Sequence, residues 1–174
     1  MVKVWNAENK IILERELWLA VLQAQKDLGQ QVPDGVIDDY KKVLDQVDLD
    51  SIHDRERIVK HDVKARIEEF CSLAGHEHIH KGMTSRDLTE NVEQLQIRQA
   101  LELICCQAAA ALRLLSENAT TYSETVVTGR THNVAAQVTT LGKRFASIAE
   151  EMLHAFTNIE QIVANYPLRG IKGP

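Results

Sequence analysis

The sequence predicts an all-α fold, and three observations lead to that prediction. The three prolines are Pro33, Pro167 and Pro174, so residues 34–166 contain no proline to break a helix. Apolar residues recur three or four positions apart over long stretches, which is the period of an amphipathic helix. The one Asp-Gly pair follows Pro33 and lacks alternating flanks, so it predicts no β-hairpin.

The composition is that of an ordinary globular protein. The 174 residues are 44% hydrophobic and 26% charged with a net charge of −5, which excludes a disordered chain and a basic nucleic-acid surface. Three cysteines, two of them adjacent, indicate a reducing compartment. There is no apolar signal segment, and no apolar run approaches the roughly 20 residues of a membrane helix. We therefore expect a cytoplasmic protein that binds neither nucleic acid nor membranes.

The first half of the chain predicts short helices. The first covers residues 6–28, with Asn6 as its N-cap and Gly29 as its stop. A short helix follows over residues 36–47. A third begins after residues 50–51, kinks near His61 and ends at Gly75, and a loop runs from there to Ser85. We expect residues 1–85 to form a small N-terminal helical domain.

The second half predicts long helices. One begins at residues 85–87 and reaches about residue 122, a length of roughly 55 Å. Residues 123–136, rich in Thr, Gly and Val, predict a break. A second long helix follows, whose apolar stripe is Val138, Leu141, Phe145, Ile148, Met152, Phe156, Ile159 and Val163. We expect residues 86–174 to be the first part of a central long-helix bundle, in a chain truncated at its C-terminus.

Three polar clusters could bind a ligand or transfer a proton. The first cluster, Lys60-His61-Asp62, is either a solvated face of a helix or a site in which the histidine is oriented to meet an anion. Thr84-Ser85 opens the first long helix and is an N-cap, a cradle for a carboxylate or phosphate, or both. His132, in the break between the long helices, is a surface residue or a general acid or base.

A fourth cluster, His76-Glu77-His78-Ile79-His80, contains the H-E-x-x-H pattern of zinc proteases. That pattern binds zinc only on a helix, where both imidazoles share a face. Gly75 and Gly82 flank it here, so the favoured interpretation is a polar loop without a metal. A zinc hydrolase is the alternative.

The order of these clusters resembles the fumarase/aspartase superfamily, and within it the adenylosuccinate lyase branch. The resemblance covers essentially the whole chain. It departs at Lys60, where that family usually has Arg, and at Asn133, where it often has glycine or an aromatic residue. The matching segments are Lys60-His61-Asp62-Val63, Gly82-Met83-Thr84-Ser85, Gly129-Arg130-Thr131-His132 and Thr139-Thr140-Leu141-Gly142-Lys143-Arg144.

The resemblance implies a β-elimination that cleaves the C–N bond of a succinyl purine nucleotide and releases fumarate. It implies no metal or organic cofactor, and a homotetramer whose active sites are shared among subunits. His132 would be the general acid and His61 its partner in orienting the substrate. The remaining substrate contacts implied are Thr84 and Ser85 as the carboxylate cradle, with Lys60, Asp62 and Thr131 lining the same pocket.

Two elements of the family pattern have no counterpart in these residues. One is the catalytic serine, carried on a mobile loop within a segment like Ser-Ser-x-Met-Pro-x-Lys-x-Asn. The other is an Arg-Tyr pair ahead of the first helix that helps to hold the nucleotide phosphate. We therefore expect the 174 residues to be inactive alone. Two alternatives remain: another superfamily member, such as argininosuccinate lyase or a cycloisomerase, and a non-catalytic helical assembly module.

Overall fold

A computed structural model describes residues 1–173 and confirms the mostly helical fold. One local feature differs, because a two-stranded antiparallel hairpin interrupts the helices. The elements in chain order are α1 (Val2–Trp5), α2 (Ala7–Asp27), α3 (Val36–Lys42), α4 (Leu49–Val59), α5 (Asp62–Ala74), α6 (Ser85–Thr121), β1 (Val126–Thr131), β2 (Val134–Thr140) and α7 (Leu141–Ala164).

The chain forms two compact units. Residues 1–97, with the segment that begins at Pro167, make the first unit, and residues 98–166 make the second. Helix α6 contributes residues to both. The division predicted between residues 1–85 and 86–174 stays a prediction.

Of the first three predicted helices, the first matches α2 closely because its ends are determined locally. The Asn6 side chain caps α2 by accepting the backbone N–H of Glu8 at 2.9 Å. Helix α3 ends at Lys42, five residues before the predicted end. The reason is long-range, because the buried Arg15 guanidinium donates hydrogen bonds to the carbonyls of Val43 and Leu44 at 2.9 and 2.8 Å.

The core of the first unit forms around aromatic rings from three helices. Trp18 of α2 stacks on Phe70 of α5 at 6.3 Å between centroids, and Tyr40 of α3 lies 4.8 Å from Phe70. All three residues are fully or almost fully buried. The Tyr40 hydroxyl donates to the His76 carbonyl at 2.6 Å, which ties the loop after α5 to this core. The core therefore holds the beginning of the loop that follows α5.

The third predicted helix is two helices. The expected kink near His61 is a complete break, since α4 ends at Val59 and α5 begins at Asp62. Lys60 adopts the left-handed region, which no continuous α-helix contains.

The second unit corrects the predicted start of the last helix. Val138 belongs to β2, and α7 begins at Leu141, where the Thr140 hydroxyl accepts the Lys143 backbone N–H at 3.1 Å. Residues 126–140, expected to be a break and the beginning of a helix, form the hairpin instead. Its β-branched residues favour strands, and a two-residue turn joins them.

The apolar stripe of α7 remains at the surface of the second unit. Ile148 is 54% exposed, and Phe145, Met152 and Phe156 are partly exposed. Helix α6 is also long and apolar enough, by length and composition alone, to cross a membrane, although charged residues such as Glu102 interrupt it. The core helix of a soluble bundle has the same properties. Both helices have the composition of bundle helices that pack against others.

Candidate functional site

The break between α4 and α5 carries the first predicted cluster. Lys60 ends α4 with a φ of 55°, and its backbone N–H donates to the Glu56 carbonyl at 2.8 Å. His61 then caps α5, because its Nδ1 accepts the backbone N–H of Lys64 at 3.3 Å. A ring nitrogen that accepts an N–H carries no proton, so neutral His61 holds its proton on Nε2. In this tautomer the imidazole offers an N–H donor to a ligand.

Asp62 lies beside that imidazole. Its Oδ1 is 3.5 Å from His61 Nδ1, and its Oδ2 accepts from the Arg66 guanidinium one turn along α5. The two side chains are 51% and 48% exposed, so both are accessible to a ligand. The structure therefore places a histidine and a carboxylate at one helix break, directly after Lys60.

The start of α6 carries the second cluster. Thr84 is its N-cap: the Thr84 hydroxyl accepts the Asp87 backbone N–H at 3.4 Å, and the Thr84 N–H donates to Asp87 Oδ2 at 3.0 Å. This reciprocal pair resembles a capping box. Thr84 and Ser85 are partly exposed, and the first N–H groups of a helix lack intrahelical partners. The cap is confirmed, while the carboxylate cradle stays a prediction.

Asp87 has a larger role than its sequence position indicates. Its carboxylate is fully buried and also accepts the backbone N–H groups of Lys172 at 3.1 Å and Gly173 at 3.0 Å. The N–H of Thr84, and then those of Lys172 and Gly173, hold the pKa of the Asp87 carboxyl below its ordinary value despite burial. Its charge also suits a helix N-terminus. An acidic residue three positions after a threonine cap is the local signal for this role.

The segment after Pro167 returns to the same end of α6. Arg169 pairs with Glu90 at 3.0 Å, and its backbone N–H donates to Gln94 Oε1. Asn91 exchanges two hydrogen bonds with the Gly170 backbone, both of 3.0 Å. Residues 169–173 thus lie along the first turns of α6, beside Thr84 and Ser85.

A histidine that sequence analysis assigned to a polar loop also belongs to this region. His80 Nδ1 accepts the Trp18 indole N–H at 2.9 Å, and the two rings meet edge to face at 5.9 Å. Burial lowers the pKa of His80, nearby Asp87 acts in the opposite direction, and His61 lowers it further. His80 lies four residues before Thr84, so it belongs to the loop that leads into α6. Only the tertiary contact with Trp18 distinguishes His80 from a loop residue.

The other histidines of the H-E-x-x-H pattern take different partners. His76 Nε2 lies 2.9 Å from Asp39, and His78 Nδ1 lies 3.5 Å from the Lys81 ammonium. The His76 and His78 rings lie 6.4 Å apart between centroids, whereas His80 accepts from Trp18. Within residues 1–173, no group of three or more His, Cys, Asp or Glu side chains is arranged to hold a metal ion.

His132 occupies the tip of the hairpin in the second unit. Thr131 pairs with Val134, so His132 and Asn133 are the two turn residues, with φ values of 49° and 65°. A type I′ turn requires positive φ at both positions, which His and Asn tolerate better than most residues. His132 is exposed, and its Nδ1 lies 3.1 Å from the Thr131 hydroxyl. The turn therefore presents an accessible imidazole.

The predicted site residues fall into both units. The first unit contains Lys60, His61, Asp62, Thr84 and Ser85, and it also contains His80 and Asp87. Thr131 and His132 belong to the second unit. The first-unit group can bind an anion through helix N–H groups, hydroxyls and an ammonium, and its imidazoles can donate hydrogen bonds. The individual catalytic and binding roles stay predictions.

Comparison with known proteins agrees with these motifs. The chain is 34% identical to the adenylosuccinate lyases of Caenorhabditis briggsae and Saccharomyces cerevisiae, over 99% of this chain and 37% of each relative. It is 28% identical to the adenylosuccinate lyase of Archaeoglobus fulgidus, over 93% of this chain and 36% of that protein. The chain thus spans about 37% of the length of the curated relatives it matches.

Solved structures share the fold. The 3-carboxy-cis,cis-muconate lactonizing enzyme of Pseudomonas putida has a TM-score of 0.84 at 18% identity, over 98% of this chain and 41% of that one. The fumarate lyase of Mesorhizobium sp. BNC1 has a TM-score of 0.82 at 23% identity, over 97% and 41%. The chain also matches the Lyase_1 family, described as lyases, over residues 3–173. It therefore belongs to this family of lyases, as the order of its motifs predicted.

Proposed function

We propose that the protein containing this chain cleaves a succinyl purine nucleotide, adenylosuccinate or the related imidazole carboxamide, and releases fumarate. The observation that carries the proposal is the group around the start of α6. Thr84 and Ser85 lie at a helix N-terminus shortly after His80, and the His61 break belongs to the same compact unit. This group suits a ligand with several carboxylates. The curated relatives named adenylosuccinate lyase support the choice of substrate.

The residues suit a β-elimination. Removing the proton next to a carboxylate builds negative charge on that group, and preorganised donors must stabilise it. Thr84, Ser85 and the first N–H groups of α6 would supply those donors. The Nε2–H of His61, beside Asp62, would orient the substrate. Lys60 would balance the substrate's charge, although an ammonium lacks the two-pronged fork of arginine.

The departing nitrogen needs a proton, and His132 would supply it as the general acid. Its place at an exposed hairpin tip suits an acid that reaches into a site built from several chain segments. Thr131, which lies against the imidazole, would help to orient it. No step of this scheme requires a metal or organic cofactor. The shared site implies a homotetramer, which we propose acts in the cytoplasm.

The test is the activity of the whole protein. We expect adenylosuccinate to yield fumarate and AMP in a spectrophotometric assay, whereas argininosuccinate and carboxymuconate give no turnover. His132→Ala should lower kcat by roughly 10²–10⁴ without changing the fold. Turnover of argininosuccinate or carboxymuconate alone would replace the proposed substrate. A folded His132→Ala protein with full activity would refute its role as the acid.

A second measurement concerns the 174 residues alone. Because they contain no segment like the family's serine loop, we expect them to fold and release no fumarate. Fumarate formation by this chain would show that the base lies within it. Self-association of the whole protein without nucleotide binding would instead favour the helical assembly module.

A further inference from the structure

A buried carboxylate lies behind the helix break. Glu14 of α2 is fully buried, and its Oε1 accepts from Arg66 of α5. Within residues 1–173, its other oxygen has no hydrogen-bond partner. Burial raises the pKa of Glu14 above its ordinary value, while the Arg66 guanidinium opposes that shift. A half-satisfied carboxylate is costly to bury, so its presence needs a reason.

Arg66 connects this carboxylate to the predicted site. One terminal nitrogen, Nη1, donates to Glu14, and the other, Nη2, donates to Asp62 Oδ2. The Arg66 side chain is only 11% exposed, whereas Asp62 is 48% exposed. The planar guanidinium holds its donors in a fixed fork. A rigid, nearly buried cation therefore determines where an accessible carboxylate lies.

Stability alone does not account for this arrangement. Replacing a buried ion pair with apolar residues of similar size is often neutral or stabilising. An Asp62–Arg66 pair one turn apart on a helix contributes little when it is exposed. What Glu14 adds is rigidity, because it removes Arg66 from solvent and fixes its second nitrogen toward Asp62.

We infer that Arg66 is a positioning residue, anchored by Glu14, that holds the Asp62 carboxylate beside His61 for the substrate. The inference rests on the proposed function, in which Asp62 and His61 contact the substrate. Arg66 itself is not assigned a contact with the ligand. Its effect passes through Asp62, whose Oδ1 lies 3.5 Å from His61 Nδ1.

The same two helices provide a matched control. Arg15 of α2 pairs with Glu69 of α5 at 2.6 Å, and both side chains are almost fully buried. Arg15 also lies over the Phe70 ring at 4.5 Å and contacts carbonyls after α3, but its contacts do not include Asp62. Glu69→Gln therefore perturbs a buried α2–α5 ion pair without touching the predicted site.

The experiment uses the whole protein with Glu14→Leu and Arg66→Met combined, so that no buried charge is left unpaired. We expect kcat/KM to fall at least about tenfold while the urea midpoint stays near that of the wild type. Glu69→Gln should show the opposite pattern, with a lower midpoint and unchanged kcat/KM for the folded protein. A stable double variant with full activity would overturn the inference.

A double-mutant cycle tests whether the effect passes through Asp62. In an Asp62→Asn background, the Glu14→Leu/Arg66→Met pair should change kcat/KM by less than twofold, because the carboxylate it positions is already gone. A full additional loss in that background would contradict the inference. If the double variant does not fold, Arg66→Lys is measured in its place, because lysine keeps the charge but not the planar fork. We expect its kcat/KM to lie between those of the wild type and a roughly tenfold loss.

A crystal structure of the double variant separates this inference from the substrate assignment. We expect the Asp62 side chain to leave its wild-type position whether or not the protein acts on adenylosuccinate. An unmoved Asp62 would refute the positioning role. A displaced Asp62, in a protein that turns over none of the substrates, would refute only the proposed function.

Discussion

Gly142 offers the sharpest test of how the second unit is built. It is the second residue of α7 and lies against the end of α6: the backbone N–H groups of Leu141 and Gly142 donate to the carbonyls of Thr125 and Tyr122, both at 2.8 Å. A Cβ at Gly142 would lie 2.7 Å from the backbone N and Cα of Ser123, and it would also clash with the Ala119 carbonyl oxygen. All of these obstacles are backbone atoms, which cannot rotate away.

The expected effect of Gly142→Ala follows from these distances. Ordinary contact begins at 3.4 Å, so Ser123 and α7 must separate by at least 0.7 Å, the difference from 2.7 Å. Overpacking of this kind costs about 1–3 kcal/mol. Alanine in an unobstructed helix would instead gain up to about 1 kcal/mol over glycine. We expect a net loss of about 1 kcal/mol in the free energy of unfolding, the middle of the overpacking range less the alanine gain.

The assay is urea unfolding followed by circular dichroism. Ser147→Ala, at an exposed position of the same helix, is the matched control and should change stability by less than about 0.5 kcal/mol. A Gly142→Ala protein that is as stable as the wild type, or more stable, would refute the close approach. The glycine of the Thr139-Thr140-Leu141-Gly142 segment would then have no structural explanation.

Three further predictions concern single side chains. Trp18→Phe should cost about 1–3 kcal/mol of stability in urea unfolding, because it leaves the partly buried His80 Nδ1 without its donor. The Asp87 carboxyl has a pKa below its ordinary 3.8 in the folded state. Its contribution to stability is therefore present above about pH 4 and is lost as the pH falls through the folded value. In urea unfolding at several pH values, Asp87→Asn should weaken this loss of stability at acid pH. Asn133→Val should destabilise the hairpin by at least about 1 kcal/mol, because a β-branched residue is strained at a φ of 65°, whereas Asn133→Gly should be neutral or stabilising in the same assay.

The motif order was the most informative part of the sequence for function. It predicted the family, which the match over residues 3–173 shows. It also named His61, Thr84 and Ser85, which the structure gathers in one unit. Asp87 and His80 were missed as members of that group. The capping role of Asp87 has a local signal, the threonine three positions before it. Its contacts with backbone N–H groups more than 80 residues away, and the contact of His80 with a tryptophan 62 positions earlier, have none.

The sequence by itself determined the helices, because their causes are local. Caps such as Asn6, the three-to-four-residue apolar period and the proline-free span 34–166 act within a few turns of one chain segment. The break at Lys60–His61 and the β1–β2 hairpin also have local causes, namely the His61 cap and a two-residue turn between β-branched segments. Tertiary structure alone decided the early end of α3. The carbonyls that follow α3 accept from Arg15 of α2, a partner that only the folded chain supplies. The bridge from Glu14 through Arg66 to Asp62 is of the same kind, because its residues lie on different helices and meet only when α2 packs on α5.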